Sequence, residues 1–83
     1  MVKTMNKNCT LNNLPLDKSG IISSIKCKEY LINRIYDMGI LENTIIKPLY
    51  RSPFGDPTAY LVKNTVIALR EKDSKYITVT PIN

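Results

Sequence analysis

Residues 34–43 read RIYDMGILEN, and this stretch marks the place where a helix ends and a sheet resumes. A helix is predicted over residues 28–38, because apolar side chains recur there at helical spacing. Gly39 stands where the residue after a helix commonly takes a left-handed backbone, and Asn43 also tolerates positive φ. The chain is therefore expected to turn from the helix into a strand within a few residues. The apolar stripe of the helix consists of Leu31, Ile35 and Met38.

Asp37 lies in the last helical turn, where a negative charge is unfavourable by roughly 0.3–1 kcal/mol. In a structural interpretation its carboxylate accepts hydrogen bonds from loop amides, or pairs with Arg34 or Arg70. In the alternative interpretation, Asp37 and Arg70 help to form a surface for a partner. Both interpretations stay open at the level of sequence.

The segments outside the helix are typical of short strands. Residues 20–27 alternate, so Ile21, Ile25 and Cys27 are expected on one face. Pro48 cannot donate to a ladder and is expected at an edge or a bulge. Five short strands hide their edges best by curling into a small barrel, with the helix as a cap. The other predicted strands are 44–51, 58–63, 66–70 and 76–82, separated by the loop SPFGDP (52–57), a turn at Asn64 and a polar turn at 71–75.

Composition limits the functional classes. The 83 residues predict one domain over 11–83 after a flexible polar tail at 1–10. The net charge of +5 is spread along the chain, which indicates a mildly basic surface and no nucleic-acid partner. No apolar run is long enough for a transmembrane helix, and the start lacks a secretory signal, so a cytoplasmic location is expected.

Catalytic and metal-binding patterns are missing from the sequence. There is no histidine, which removes the commonest general base and a common transition-metal ligand. Cys9 and Cys27 do not form a CxxC motif, and free thiols are favoured over a disulfide between them. The carboxylates are dispersed. We therefore expect no catalytic residues, no metal ligands and no cofactor, and we expect that the chain is not an enzyme.

Several segments in order resemble the FeoA family of small proteins of prokaryotic ferrous iron transport: RIYDMGI, SPFGDP, TAYLVKN, IALR and YITV. Related domains occur at the C-terminus of DtxR-type repressors. The resemblance covers nearly the whole chain and implies an SH3-like barrel, in agreement with the five predicted strands. Where the family usually has a Pro-Gly pair this chain has Glu42 and Asn43, and where the family usually has Gly it has Asn64. Asparagine tolerates positive φ, so both turns are expected to form.

Structural roles in turns are expected for Asp37, Gly39, Asn43 and Asn64. A partner-binding face is expected from apolar side chains that have no evident place in the core. In the alternative, Phe54 folds back and plugs the end of the barrel. The expected partner-binding residues are Tyr50, Arg51, Phe54 and Leu61.

The resemblance implies an accessory protein that binds and modulates a FeoB-type ferrous iron permease through its cytoplasmic GTP-binding region. Contact with the membrane would be indirect, through recruitment to its inner face by the permease. Weak self-association into a homo-oligomer stays open. The alternative is a regulatory domain like that of the DtxR-type repressors, acting on a peptide or a nucleic-acid-associated partner. We expect that alternative to require an N-terminal winged helix-turn-helix, which the first nine residues are too short to form.

Overall fold

The computed structural model describes residues 8–26 and 29–82, without the side chains of residues 29–31. The strands are β1 (Cys9–Thr10), β2 (Gly20–Ile25), β3 (Ile45–Arg51), β4 (Thr58–Val62), β5 (Thr65–Leu69) and β6 (Ile77–Pro81). The helices are α1 (Glu29–Asp37), α2 (Glu71–Ser74) and a 3₁₀ turn at Leu11–Asn13. Within the described residues, the strands form one antiparallel sheet in the order β1-β6-β2-β3-β4-β5. None of the described helices has the length and apolar character needed to cross a bilayer.

The mainly β architecture with one long helix confirms the prediction, but the sheet has six strands instead of five. The additional strand is β1, in which Cys9 pairs with Val79 of β6. Cys9 and Thr10 were expected in the polar tail and instead extend the sheet. Cys9 is a free, half-buried thiol, while Cys27 lies outside the described residues. The division of the chain into tail and domain otherwise stays a prediction.

The end of α1 is a Schellman motif. The N–H of Ile40 donates to the carbonyl of Ile35, and the N–H of Gly39 donates to the carbonyl of Tyr36 at 2.9 Å. Gly39 has φ of 86°, which is the left-handed conformation that this motif uses. Ile35 and Ile40 are both buried, as the motif's hydrophobic contact requires. The motif therefore fixes the exit of the chain from the helix.

The ion pair considered for Asp37 is not formed. Asp37 is exposed, and no hydrogen bond or ion pair joins it to Arg34 or Arg70 within the described residues. Exposure to water weakens the unfavourable interaction of its charge with the helix dipole, because solvent screens charges at the surface. The expected pairing of Asp37 with Arg34 or Arg70 is therefore wrong for the described residues.

The return from the helix to β3 depends on a second left-handed residue. Asn43 has φ of 68°, and its N–H donates to the carbonyl of Ile22 at 2.7 Å. Ile22 in turn donates to the carbonyl of Thr44 at 2.9 Å. These two bonds attach the turn to β2, so the chain enters β3 already aligned with its neighbour in the sheet.

The strict alternation expected for β2 is wrong beyond its third residue. The pairing of β2 with β6 shifts register between Ile22 and Ser24, which is a β-bulge. The extra residue turns the following side chains to the opposite face. As a result Ile22 and Ile25 are both buried, although they are three positions apart and strict alternation would place them on opposite faces.

One apolar core lies between the sheet, α1 and the 3₁₀ turn. Leu11 and Leu14 are buried, whereas Leu16 is exposed. Of the apolar stripe of α1, Ile35 is buried and Met38 packs against the core. The side chain of Leu31 lies outside the described residues. Other members of the core are Ile22, Ile25, Ile40, Ile46, Tyr60, Val62, Leu69, Ile77 and Val79.

Candidate partner-binding surface

The loop between β3 and β4 is held by three hydrogen bonds within itself. The N–H of Ser52 donates to the carbonyl of Pro57 at 3.0 Å, and its hydroxyl donates to the carbonyl of Asp56 at 2.6 Å. The N–H of Gly55 donates to the carbonyl of Ser52 at 2.8 Å, with Gly55 at φ of 86°. The loop is also attached to α2, because the Asp56 carboxylate accepts from the N–H of Glu71 at 2.9 Å. This loop is therefore a defined structure.

Phe54 occupies the tip of this loop and is 96% exposed. It makes no plug at the end of the barrel, so the alternative considered from the sequence is wrong. A fully exposed phenylalanine on a loop fixed by its own hydrogen bonds presents apolar surface that the fold itself does not use. Such surface is a common mark of a site of protein contact when other apolar side chains lie nearby.

A bulge in β3 decides where Tyr50 points. The pairing of β3 with β4 shifts register between Pro48 and Tyr50, which confirms the prediction of an edge or bulge at Pro48. Pro48 is buried opposite Tyr60, and the extra residue turns Tyr50 to the outer face, where it is 60% exposed opposite Ala59. Without the bulge, Tyr50 would share the inner face with Pro48.

Leu61 lies on the same outer face as Tyr50. It is half-buried and pairs across the sheet with Lys47 on one side and Val66 on the other. Val66 is 54% exposed and extends the apolar surface onto β5. Val66 was not among the partner-binding residues expected from the sequence, although it lies in the predicted strand 66–70. The alternation of β5 was the signal that would have found it.

Arg51 is separated from the other three candidates by the alternation of β3. Its side chain lines a polar cavity of about 170 Å³ on the other side of the strand, together with Asp56 and Glu71. The structure therefore brings Tyr50 and Leu61 together on one face, places Phe54 at the adjoining loop tip, and directs Arg51 elsewhere. The outer face is defined here as Tyr50, Leu61, Val66 and the loop tip at Phe54.

The polar cavity links the loop to α2. Tyr60 and Ser74 lie in its floor, and both are almost fully buried. Burial raises the pKa of the Tyr60 phenol, while hydrogen bonds from the side chains of Ser74 and Thr58 act in the opposite direction. The amide nitrogen of Asn12 donates to a Glu71 oxygen at 3.4 Å. The amide oxygen of Asn12 is buried and has no hydrogen-bond partner among the residues that the structure describes.

Metal ligands do not converge in the part of the chain that the structure describes. No group of three or more His, Cys, Asp or Glu side chains is positioned there to hold an ion. The thiol of Cys9 is half-buried in β1, and burial raises its pKa. A raised pKa disfavours the thiolate, which is the form of cysteine that binds metals.

Three solved structures illustrate the likeness of this fold to known proteins. The FeoA-like protein from Clostridium acetobutylicum is 29% identical, with a TM-score of 0.81 over 90% of this chain and 87% of that chain. FeoA from Stenotrophomonas maltophilia, complexed with zinc and described as a prokaryotic SH3 domain protein, is 24% identical, with a TM-score of 0.68 over 84% of this chain and 87% of that chain. IdeR from T. acidophilum is 20% identical, with a TM-score of 0.79 over 93% of this chain and 35% of that chain. No curated protein matches the chain.

The fold is that of a small SH3-like protein, mainly β and built on one curved antiparallel sheet. Residues 9–81 match the FeoA domain, so the chain belongs to the FeoA family. The likeness to IdeR is one of fold, and this chain covers 35% of that chain.

Proposed function

We propose that this chain is an accessory protein of ferrous iron uptake that binds the GTP-binding region of a FeoB-type permease. The observation that carries the proposal is the fixed loop that presents Phe54 with 96% of its side chain exposed. Membership of the FeoA family supplies the context of iron transport. In this proposal the chain acts in the cytoplasm and reaches the membrane only through the permease.

The outer face has the composition of a contact surface. Tyrosine and phenylalanine are enriched at protein interfaces, and burial of one phenylalanine side chain contributes roughly 1.5–3 kcal/mol. Tyr50 and Val66 are each more than half exposed, and Leu61 lies between their strands. A partner that covers Phe54 and Tyr50 together would gain apolar burial without requiring the loop to reorganise, because its hydrogen bonds are already formed.

In the same proposal, iron is the cargo of the permease and is not held by this chain. The sequence has no histidine, and its carboxylates are distributed over α1, α2 and separate loops and turns. A divalent transition metal needs several converging ligands. The expected mode of action is therefore protein contact, without catalysis and without a cofactor.

The test is amide shift mapping by NMR on the ¹⁵N-labelled chain as the GTP-binding region of the permease is added. We expect the largest changes at residues 50–55, Leu61 and Val66. Phe54→Ala should weaken binding by about tenfold or more, as is common for a central aromatic contact. It should change the free energy of unfolding by less than about 0.5 kcal/mol, because the side chain has no packing to lose.

Leu16→Ala is the matched control for that variant. Leu16 is an apolar residue that is 40% exposed, and it lies outside the outer face. Its substitution should leave the affinity unchanged. Shifts confined to the surface around Leu16, or equal losses of affinity in the two variants, would rule out the proposed face.

A regulatory role like that of the repressors is the second candidate, motivated by the fold shared with IdeR. It predicts that the chain is retained on DNA at low salt, or binds a repressor-derived peptide, and that it does not bind the permease. Retention on DNA together with no binding to the GTP-binding region would favour this candidate over the first.

A further inference from the structure

Strand β5 is the last strand in the order of the sheet and forms one of its two edges. A turn of two residues, Lys63 and Asn64, joins β4 to β5, with φ of 50° and 65°. Val62 and Thr65 close this turn as a hydrogen-bonded pair, as in other two-residue hairpins. Hydrogen-bonded and non-bonded pairs then alternate along an antiparallel ladder. Thr65, Ile67 and Leu69 therefore bond to β4, and the backbone groups of the residues between them point away from β4.

Val66 and Ala68 are the residues whose backbone groups face outward. Each presents one N–H donor and one C=O acceptor to the free side of β5. No backbone hydrogen bond reaches these outward groups within the described residues. The side chains of both residues are exposed as well. The edge is thus a row of unused donors and acceptors that another strand could pair with.

Features that usually protect an edge strand are missing from β5. Natural edges carry lysine, proline, bulges or inward charges, or they are very short. The residues of β5 read TVIAL, with neither charge nor proline, and its pairing with β4 runs through five residue pairs without a register shift. The opposite edge of the sheet differs, because β1 has only two residues. An unprotected edge on one side alone indicates a use for it.

Positive charge surrounds both ends of this edge. A groove of about 270 Å³ beside Ala68 is lined by Arg34 of α1 and by Arg70 and Lys72. Asp73 is the acidic residue in that lining. At the other end, Lys63 is exposed in the turn before β5. Four cations against one acid favour a partner with negative charge and disfavour a second copy of this chain, which has a net charge of +5.

We infer that β5 accepts an extended, acidic segment of a partner protein as an additional strand. Its backbone would pair with Val66 and Ala68, and its carboxylates would meet Arg34, Arg70 and Lys72. This site is separate from the contact at Phe54, and it stands whether or not the partner is the permease. Val66 belongs to both surfaces, so the edge site is distinguished by the amide of Ala68 and the contact at Phe54 by the amides of residues 50–55. Failure of one site leaves the readout of the other untouched.

The probe is a blocked peptide that alternates valine and glutamate. It has about eight residues, which is within the usual range of strand lengths. It is compared with the same peptide carrying glutamine, and with the same peptide carrying lysine, in place of glutamate. Amide shifts and hydrogen–deuterium exchange are measured on the wild-type chain. The glutamate peptide should bind most tightly, the lysine peptide should not bind, and exchange should slow at Val66 and Ala68 above all.

Two pairs of variants separate the backbone contribution from the charge contribution. Val66→Pro removes an outward N–H that the ladder with β4 does not use, and Val66→Thr retains it. Val66→Pro should weaken peptide binding by about five- to tenfold, the equivalent of one backbone hydrogen bond, and Val66→Thr by less than twofold. Arg70→Glu should weaken binding in the same range, whereas Lys18→Glu, outside the groove, should not.

The inference is overturned if exchange at Val66 and Ala68 is unchanged on adding the peptide. It is also overturned if the lysine peptide binds as well as the glutamate peptide, or if the shifts map to residues 50–55. Self-association of the chain that protects the same two amides would identify a second copy as the occupant instead. If Val66→Pro does not fold, as judged by circular dichroism, the exchange measurement on the wild-type chain still decides the matter.

Discussion

The stop of helix α1 can be tested at Gly39, because strain and steric clash separate cleanly there. Gly39 has φ of 86°, and a Cβ atom built on it meets no heavy atom within 4 Å. Any cost of a side chain at this position is therefore a cost of backbone conformation. Gly20 provides the opposite case, since a Cβ there would lie 3.2 Å from Leu14 Cδ2 and 3.2 Å from Val79 Cβ.

The expected magnitudes follow from this difference. A left-handed backbone costs an ordinary L-residue roughly 1–2 kcal/mol, so Gly39→Ala should lower the free energy of unfolding by about 1 kcal/mol. Gly39→Asn should cost less, because asparagine visits this region more readily, and Gly39→Val should cost about 2 kcal/mol. At Gly20 the order of alanine and asparagine reverses, so that Gly20→Ala should cost less than Gly20→Asn. There alanine overpacks the core by about 1–3 kcal/mol, and the larger asparagine costs more.

Urea unfolding followed by circular dichroism at 25 °C measures these differences, with the slope m required to stay constant. Thermal unfolding gives a second measure, since 1 kcal/mol corresponds to about 4–8 °C for a domain of this size. If Gly39→Asn is less stable than Gly39→Ala, backbone strain is not the main cost at this position, because only a steric clash would penalise the larger side chain more. The same conclusion follows if Gly39→Val leaves the stability unchanged.

Three further predictions concern the region around α2 and the β4–β5 turn. Asp56→Ala should lower the free energy of unfolding by about 1 kcal/mol through loss of the 2.9 Å bond to the Glu71 N–H, and Asp56→Asn should retain most of it. Burial raises the pKa of the Tyr60 phenol, so its ultraviolet titration should lie above that of the urea-unfolded chain. The contribution of the neutral Tyr60 phenol to the free energy of unfolding is fully present below the phenol's pKa in the unfolded chain. It is lost as the pH rises through the higher pKa of the folded chain. Asn64→Gly should change stability by only a few tenths of a kcal/mol, because Asn64 already has φ of 65°.

The strands, the helix and its stop were predictable because they depend on local patterns. The spacing of Ile35 and Met38 and the position of Gly39 are enough to place the end of α1, and the structure has the expected left-handed residue there. The sixth strand was not predictable in the same way. Cys9 and Thr10 have no periodic pattern of their own, and they become a strand through pairing with β6, which lies some seventy residues away in the chain.

The faces to which the side chains of β2 and β3 point depend on two bulges that the sequence only partly indicates. Pro48 indicated one of them, but the sequence does not say which later side chain changes face. That residue was Tyr50, which moved outward, while Arg51 moved to the polar cavity. The bulge in β2 had no local signal in the sequence, because it falls at two serines, Ser23 and Ser24, and not at a proline or a glycine. A slip of one residue reverses every later side chain, so alternation alone could not assign these faces.

Anaerobic titration calorimetry of the 83-residue chain distinguishes action by protein contact from action by iron binding. The chain is titrated first with ferrous iron, and then with the GTP-binding region of the permease in the presence of a chelator. We expect no stoichiometric iron binding. We expect partner binding that persists in chelator and that weakens with Phe54→Ala but not with Leu16→Ala. Stoichiometric iron binding at about micromolar affinity without the partner, or partner binding that chelator abolishes, would contradict action by protein contact.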